Sequence, residues 1–149
     1  MIINQAQLSD LGPLTTLVDE YRTFHQANIS PGHTQAYLEK HLQQGAVNWL
    51  VARDVQSQQL MGFVSLFPSY STLALEPIWI LNDLGVSSHF RGKGVAKALI
   101  SHAMTFARET GAIRIELKTS VGNHNARALY QTLGFEIDEG NVYYRVPMT

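Results

Sequence analysis

The passage from Val86 to Leu99 restricts this chain more than any other. An apolar run gives way to Arg91-Gly92-Lys93-Gly94, and Val95, Ala98, Leu99, His102, Ala103, Phe106 and Ala107 then recur on one helical face. A strand that runs through a two-glycine loop into an amphipathic helix needs a sheet with helices packed on it. The same passage carries chemistry. The first turn of such a helix has free backbone N–H groups at the positive end of its dipole, where phosphate binds. Gly92 and Gly94 lack the Cβ atoms that would hold a pyrophosphate away, and Arg91, Lys93 and Lys97 bring positive charge beside it. A Walker loop is excluded, because Gly94 follows Lys93 where Ser or Thr is required and Ser88 holds the upstream glycine position.

The rest of the chain is punctuated around this passage. Ile2 and Ile3 suggest a short strand, and Ser9 or Asp10 caps a helix with Pro13 in its first turn and Leu11, Leu14, Leu17, Val18, Tyr21 and Phe24 at helical spacing. Thr34 to Gln44 reads as a second helix stopped by Gly45. Val47–Arg53 and Leu60–Phe67 form a hairpin, with Pro68 ending its second arm, and Trp79–Val86 is a central strand. Ile113, Ile115 and Leu117 alternate as in a strand, and Ala126, Leu129, Tyr130 and Leu133 mark a last helix stopped by Gly134. Phe135–Asp138 and Val142–Pro147 supply two closing strands. The expected fold is α/β, with a mixed, mostly antiparallel central sheet of six to seven strands flanked by about four helices, in one domain spanning 1–149.

Composition narrows the function. Apolar residues are 45% and charged residues 15%, a balance that folds rather than remains disordered. A net charge of -1 offers no field for a polyanion, so no nucleic-acid partner is expected. The absence of cysteine removes thiolate metal sites and a cysteine nucleophile, and the six histidines show no metal-ligand spacing. No segment reaches the ~18 apolar residues of a membrane span, so no membrane association and a cytoplasmic location are expected.

Arg91-Gly92-Lys93-Gly94-Val95-Ala96, the strand Leu81-Asn82-Asp83-Leu84-Gly85-Val86 leading into it, and Asn123-His124-Asn125-Ala126-Arg127-Ala128-Leu129-Tyr130 followed by Gly134-Phe135 stand in the order found in the GNAT superfamily of N-acetyltransferases, which this sequence resembles over nearly its whole length. The resemblance looks closest to the branch of spermidine/spermine and other small-amine acetyltransferases. It implies acetyl-CoA as cosubstrate, with backbone groups near Leu84 and Val86 pairing with the pantetheine arm. Arg91, Gly92, Lys93, Gly94, Val95, Ala96 and Lys97 would hold the pyrophosphate, and Asn123 and Asn125 would contact the cofactor arm. Tyr130 matches the family acid that protonates the departing thiolate. The polyamine branch carries Glu-Asp where this chain has Asn82-Asp83. Asn82 is therefore expected to position substrate or water, and Asp83 is the candidate base, although strand alternation turns it to the opposite face unless a bulge re-aims it. Tyr21, Phe24, Tyr70 and Trp79 are candidate walls for an acceptor pocket.

An amine with a pKa of ~10.4 is a nucleophile only when neutral, which at pH 7 costs about 4.6 kcal/mol, so the reaction needs a proton acceptor. The thioester oxyanion needs donors, and backbone N–H groups near Leu84 to Val86 can supply them. The expected activity is transfer of an acetyl group to a primary amine of a small molecule or an exposed lysine-like group, in a likeness whose members are commonly homodimers. The rival readings are a catalytically weak acyl-CoA sensor and a peptide or protein N-acetyltransferase.

Overall fold

In the computed structural model, which describes residues 1–149, the chain divides into two compact units, Met1–Lys118 and Thr119–Thr149. The first holds a five-stranded sheet in sequence order: β1 (Ile2–Gln5), β2 (Asn48–Arg53), β3 (Leu60–Ser71), β4 (Glu76–Val86) and β5 (Ile115–Leu117). The first four strands are antiparallel neighbours, and β5 pairs parallel to β4. That parallel step needs a crossover, supplied by α3 (Val95–Glu109).

Strand alternation sends two sets of apolar side chains to opposite faces. On one face Trp49, Val51 and Phe63 pack with Leu14, Leu17 and Val18 of α1 (Leu11–Phe24) and Leu38 of α2 (His33–Gln44). On the other, Val95 and Leu99 of α3 close on Gly62, where a Cβ would lie 3.0 and 3.2 Å from them. Each fully buried leucine here contributes about 1.5–3 kcal/mol. The entry to α1 is fixed by Asp10, whose carboxylate accepts the Gln7 N–H at 2.9 Å and meets Arg53 of β2 at 2.7 Å. Gly45, at φ +72°, closes α2 in the left-handed conformation that a side chain resists.

Two expectations change. Pro68 does not end β3, which continues to Ser71 opposite a β4 that begins at Glu76. Pairing with β2 stops at Leu66, so beyond it β3 has an open edge, where a strand tolerates a residue with no N–H.

The second unit contains α4 (His124–Thr132), whose C-terminal end is turned off by Gly134 at φ +98°. Phe135 returns its ring to Tyr130, 5.8 Å between centroids. The sheet has five strands, not six to seven, because residues 135–149 form none. Their β-forming side chains meet the propensity for a strand, but a strand exists only where a neighbour completes its ladder. Ile137, Val142, Tyr144 and Val146 stay exposed. Asp138 instead makes a local turn, accepting the Gly140 N–H at 2.9 Å and Asn141 Nδ2 at 2.7 Å. No helix of the chain is long and apolar enough to cross a membrane.

Candidate active site

The site begins with one surplus residue in β4. Asp83 pairs with Ser65 and Leu81 with Leu66, which leaves Asn82 without a partner across the ladder. This bulge overturns strict alternation, so the consecutive residues Asn82 and Asp83 both line one cavity of ≈ 310 Å³. Its other walls are Val18, Tyr21 and Arg22 of α1, His33, Thr34 and Tyr37 of α2, Trp49 of β2 and Phe63 of β3. Cross-strand pairing sets Trp49, Ser65 and Asp83 in a row over three strands, which forms the floor.

The Asp83 carboxylate is held on one side only. Its Oδ2 accepts Ser65 Oγ at 2.6 Å and Asn82 Nδ2 at 2.9 Å, and no donor of the chain reaches Oδ1. Ser65 is fully buried, so its hydroxyl has its hydrogen bond committed to this carboxylate. Burial, followed by the Asp83 charge, pushes the Tyr37 phenol above its ordinary value, which keeps it a proton donor beside the carboxylate. On the opposite wall, Thr34 donates to Asp19 and accepts from Arg22 Nη1 at 3.0 Å, while Arg22 Nη2 donates to the Asn28 carbonyl at 3.0 Å. The Trp49 ring is buried, and its Nε1–H has no protein partner.

Of the aromatic walls expected from sequence, only Tyr21 lines this cavity. Tyr70 is 78% exposed, Trp79 donates its indole N–H to Thr110 at 2.9 Å, and Phe24 lies under the Arg91 guanidinium, 5.7 Å from its ring centre. Arg22, Thr34, Tyr37, Trp49, Phe63 and Ser65 escaped the sequence reading. Their only signals were helical spacing on α1 and α2 and β-strand pattern, which also describe ordinary core.

β4 leads from this cavity into the glycine loop. Pairing with β5 covers only Trp79 to Leu81, so within this unit that edge of β4 carries no strand from Asn82 to Val86, the stretch that includes Leu84 and Val86. Ser87 then caps a short 3-10 turn, and the Ser88 N–H is taken by Glu20 of α1 at 2.7 Å. Gly92 and Gly94 have φ of +74° and +76°, and a Cβ on either would point into open space. Ala98 N–H makes the first bond of α3, to the Gly94 carbonyl, so the N–H groups of Val95, Ala96 and Lys97 precede the helical ladder. Arg91 and Lys93 each lie over a phenylalanine ring, exposed with no acidic partner. Open space, unladdered donors and cations together fit a pyrophosphate.

Asn123, Asn125 and Tyr130 belong to the second unit. Asn123 precedes α4 and donates to Thr119 Oγ1 at 3.3 Å, Asn125 is exposed in the first turn, and the Tyr130 hydroxyl is raised above its ordinary pKa by burial.

The chain matches the model of the acetyltransferase (GNAT) family over residues 14–135. It is 35% identical to the uncharacterized N-acetyltransferase YhfO of Bacillus subtilis, over 97% of this chain and 95% of that one. A crystal structure of a probable acetyltransferase superposes with a TM-score of 0.95 at 37% identity, covering 100% of this chain and 99% of that one. A ribosomal-protein-alanine N-acetyltransferase from Brucella melitensis biovar Abortus 2308 superposes with a TM-score of 0.79 at 25% identity, covering 98% and 100%.

Proposed function

Since this chain belongs to the acetyltransferase (GNAT) family, we propose that it carries an acetyl group from acetyl-CoA to the primary amine of a small molecule seated in the cavity between α1, α2 and β4. Family membership makes it an N-acetyltransferase, and acetyl-CoA is the donor that family uses. The observation that carries the acceptor reading is the bulge at Asn82, which brings a carboxylate with one open oxygen into a cavity of ≈ 310 Å³. That volume is at the small end for ligand sites, which supports a small acceptor over a protein surface.

In this reading the incoming ammonium binds at Asp83 Oδ1 and gives up its proton there or through a water that Asn82 orients. The free nitrogen attacks the thioester carbonyl carbon, and backbone N–H groups on the open stretch of β4 from Leu84 to Val86 receive the developing oxyanion. The C–S bond breaks, the departing thiolate takes a proton from Tyr130, whose burial keeps the phenol protonated, and the nitrogen sheds its second proton to restore that phenol. The loop from Arg91 to Lys97 holds the pyrophosphate, Asn123 and Asn125 contact the arm of the donor, and residues 1–149 act as one transferase domain. A polyamine would call for several carboxylates. Among the residues lining the cavity Asp83 is the sole acid, so we narrow the acceptor to an amine that presents one ammonium.

Thiol release from acetyl-CoA, measured over a panel of small primary amines, spermidine and short peptides, tests this. Release with small amines is expected, and Asp83→Asn should lower kcat/KM on them about 100-fold or more while acetyl-CoA still binds. Acetyl-CoA binding without release from any small amine, or release with peptides alone, would overturn the reading.

A further inference from the structure

Resting on the acceptor reading above, we propose that the acceptor is zwitterionic: an aminocarboxylic acid with an apolar side chain, its ammonium at Asp83, its carboxylate at Arg22 and its side chain among Tyr21, Trp49 and Phe63.

The argument is one of unbalanced charge. Asp83 lines the cavity, receives hydrogen bonds only from the neutral groups of Ser65 and Asn82, and forms no ion pair. Arg22 lines the same cavity, donates only to the neutral oxygens of Thr34 and Asn28, and likewise forms no ion pair. Of the two acids before it on the same helix, Glu20 accepts the Ser88 N–H, and Asp19 reaches the guanidinium only through the Thr34 hydroxyl. The two charges therefore share one cavity without neutralising each other. Partly desolvated charges are costly unless they are paired, and a ligand with both signs pairs them at once.

The Arg22 guanidinium is also fixed in advance. Two of its nitrogens are anchored, and Thr34, which anchors one, is 95% buried with its hydroxyl engaged on both sides. A fixed fork is the geometry that selects a carboxylate over a neutral acceptor. The remaining walls are aromatic, and the Trp49 indole N–H is a buried donor with no partner in the chain. Such a group is left uncompensated until something with a lone pair, or a shift of the ring, satisfies it.

Acetylation of such a molecule is balanced by the step already described. The amine nitrogen gains the acetyl carbon and the C–S bond of the donor breaks; of the two protons the ammonium loses, one passes to the Asp83 side and the other, shed after attack, replaces the proton that Tyr130 gives to CoA, which leaves as the thiol. The substrate carboxylate is untouched and serves only to orient.

The test compares phenylalanine with phenethylamine, which differ only by the carboxylate, in thiol release from acetyl-CoA. A charge-assisted bidentate contact is worth about ten- to a hundredfold in kcat/KM, so phenylalanine should be favoured by that factor. In Arg22→Gln the ratio of the two kcat/KM values should collapse toward one, and in Arg22→Lys it should recover in part, with far-UV dichroism and melting temperature confirming a folded protein in both. Phenylpropanoate, which has the carboxylate and no amine, should compete with phenylalanine for wild type and lose that competition in Arg22→Gln. Equal use of both amines, or a ratio that Arg22→Gln leaves unchanged, overturns the zwitterion while the small-amine reading stands. No release from either compound, with release from peptides alone, defeats both.

Discussion

Gly85→Ala probes how the fold and the cavity depend on each other. Gly85 sits on β4 across from Phe63, and a Cβ built there lies 2.6 Å from Phe63 Cε1 and 3.3 Å from Cδ1 and Cζ. The shortest of these is 0.8 Å inside the 3.4 Å at which ordinary contact begins. The Gly85 backbone is not left-handed, so alanine is conformationally acceptable and the penalty is steric. Phe63 is fully buried and its ring meets Tyr21 edge-on at 5.5 Å and Trp49 at 6.1 Å, so relief of the clash comes by pushing these rings into the cavity they wall. Overpacking of this kind costs about 1–3 kcal/mol. For a chain of this size that lowers the melting temperature by roughly 2–12 °C. Because Phe63, Tyr21 and Trp49 all wall the cavity, KM for the acceptor should rise with the loss of stability. Urea unfolding and thermal melts of Gly85→Ala, Phe63→Leu and the double variant form the cycle. In the Phe63→Leu background the alanine should cost about 0.5–2 kcal/mol less than in wild type, since the clashing ring atoms are gone. A wild-type melting temperature for Gly85→Ala, or strict additivity in the cycle, would refute the reasoning.

Tyr130→Phe should lower kcat at least about tenfold while leaving the acetyl-CoA dissociation constant nearly unchanged, measured by single-turnover thiol release and by calorimetry. Gly94→Ala places a Cβ at φ +76° in open space, so it should destabilise by about 1–2 kcal/mol through backbone strain alone, with Gly94→Asn closer to wild type in urea unfolding. Burial raises the phenols of Tyr37 and Tyr130 above 10.0 in the folded chain. Below pH 10.0 both folded and unfolded chains hold these protons, and the associated stability is fully present. As the pH climbs past 10.0 the unfolded chain ionises first, and that stability is lost through the raised folded values. Stability against urea should therefore fall above pH 10, with a shallower fall in Tyr130→Phe; identical slopes would contradict the burial of that hydroxyl.

The loop from Arg91 to Ala96 was legible because it consists of local chemistry: two glycines at positive φ, adjacent cations and a helix start, all within six residues. Both N-terminal helices were legible for the same reason, since their punctuation at Pro13 and Gly45 acts on neighbouring residues. The acceptor cavity was not. Arg22, Thr34, Tyr37 and Ser65 acquire their roles from partners that lie 6 to 18 residues away in sequence or on another element, and nothing in a periodic pattern separates a cavity-lining tyrosine from a core one. Strand propensity at Val142 to Pro147 misled because it measures fitness for a ladder and not the presence of one.

The bulge at Asn82 explains more than the position of one carboxylate. Before it, Leu81 pairs with Leu66 and Ile80 with Phe67; Phe67 packs on the α1 and α2 core, so strict alternation would turn Asn82 to that face and Asp83 to the face of α3. One extra residue reverses the parity of everything after it. Asp83 and Gly85 then point to the α1 and α2 face, and Leu84 and Val86 turn away from it. The same reversal that delivers Asp83 to Ser65 and the cavity also brings residue 85 directly beneath the Phe63 ring, where no side chain fits. Gly85 is thus a requirement of the bulge: with any Cβ at that position, the parity that serves the carboxylate would displace the aromatic wall the acceptor rests on.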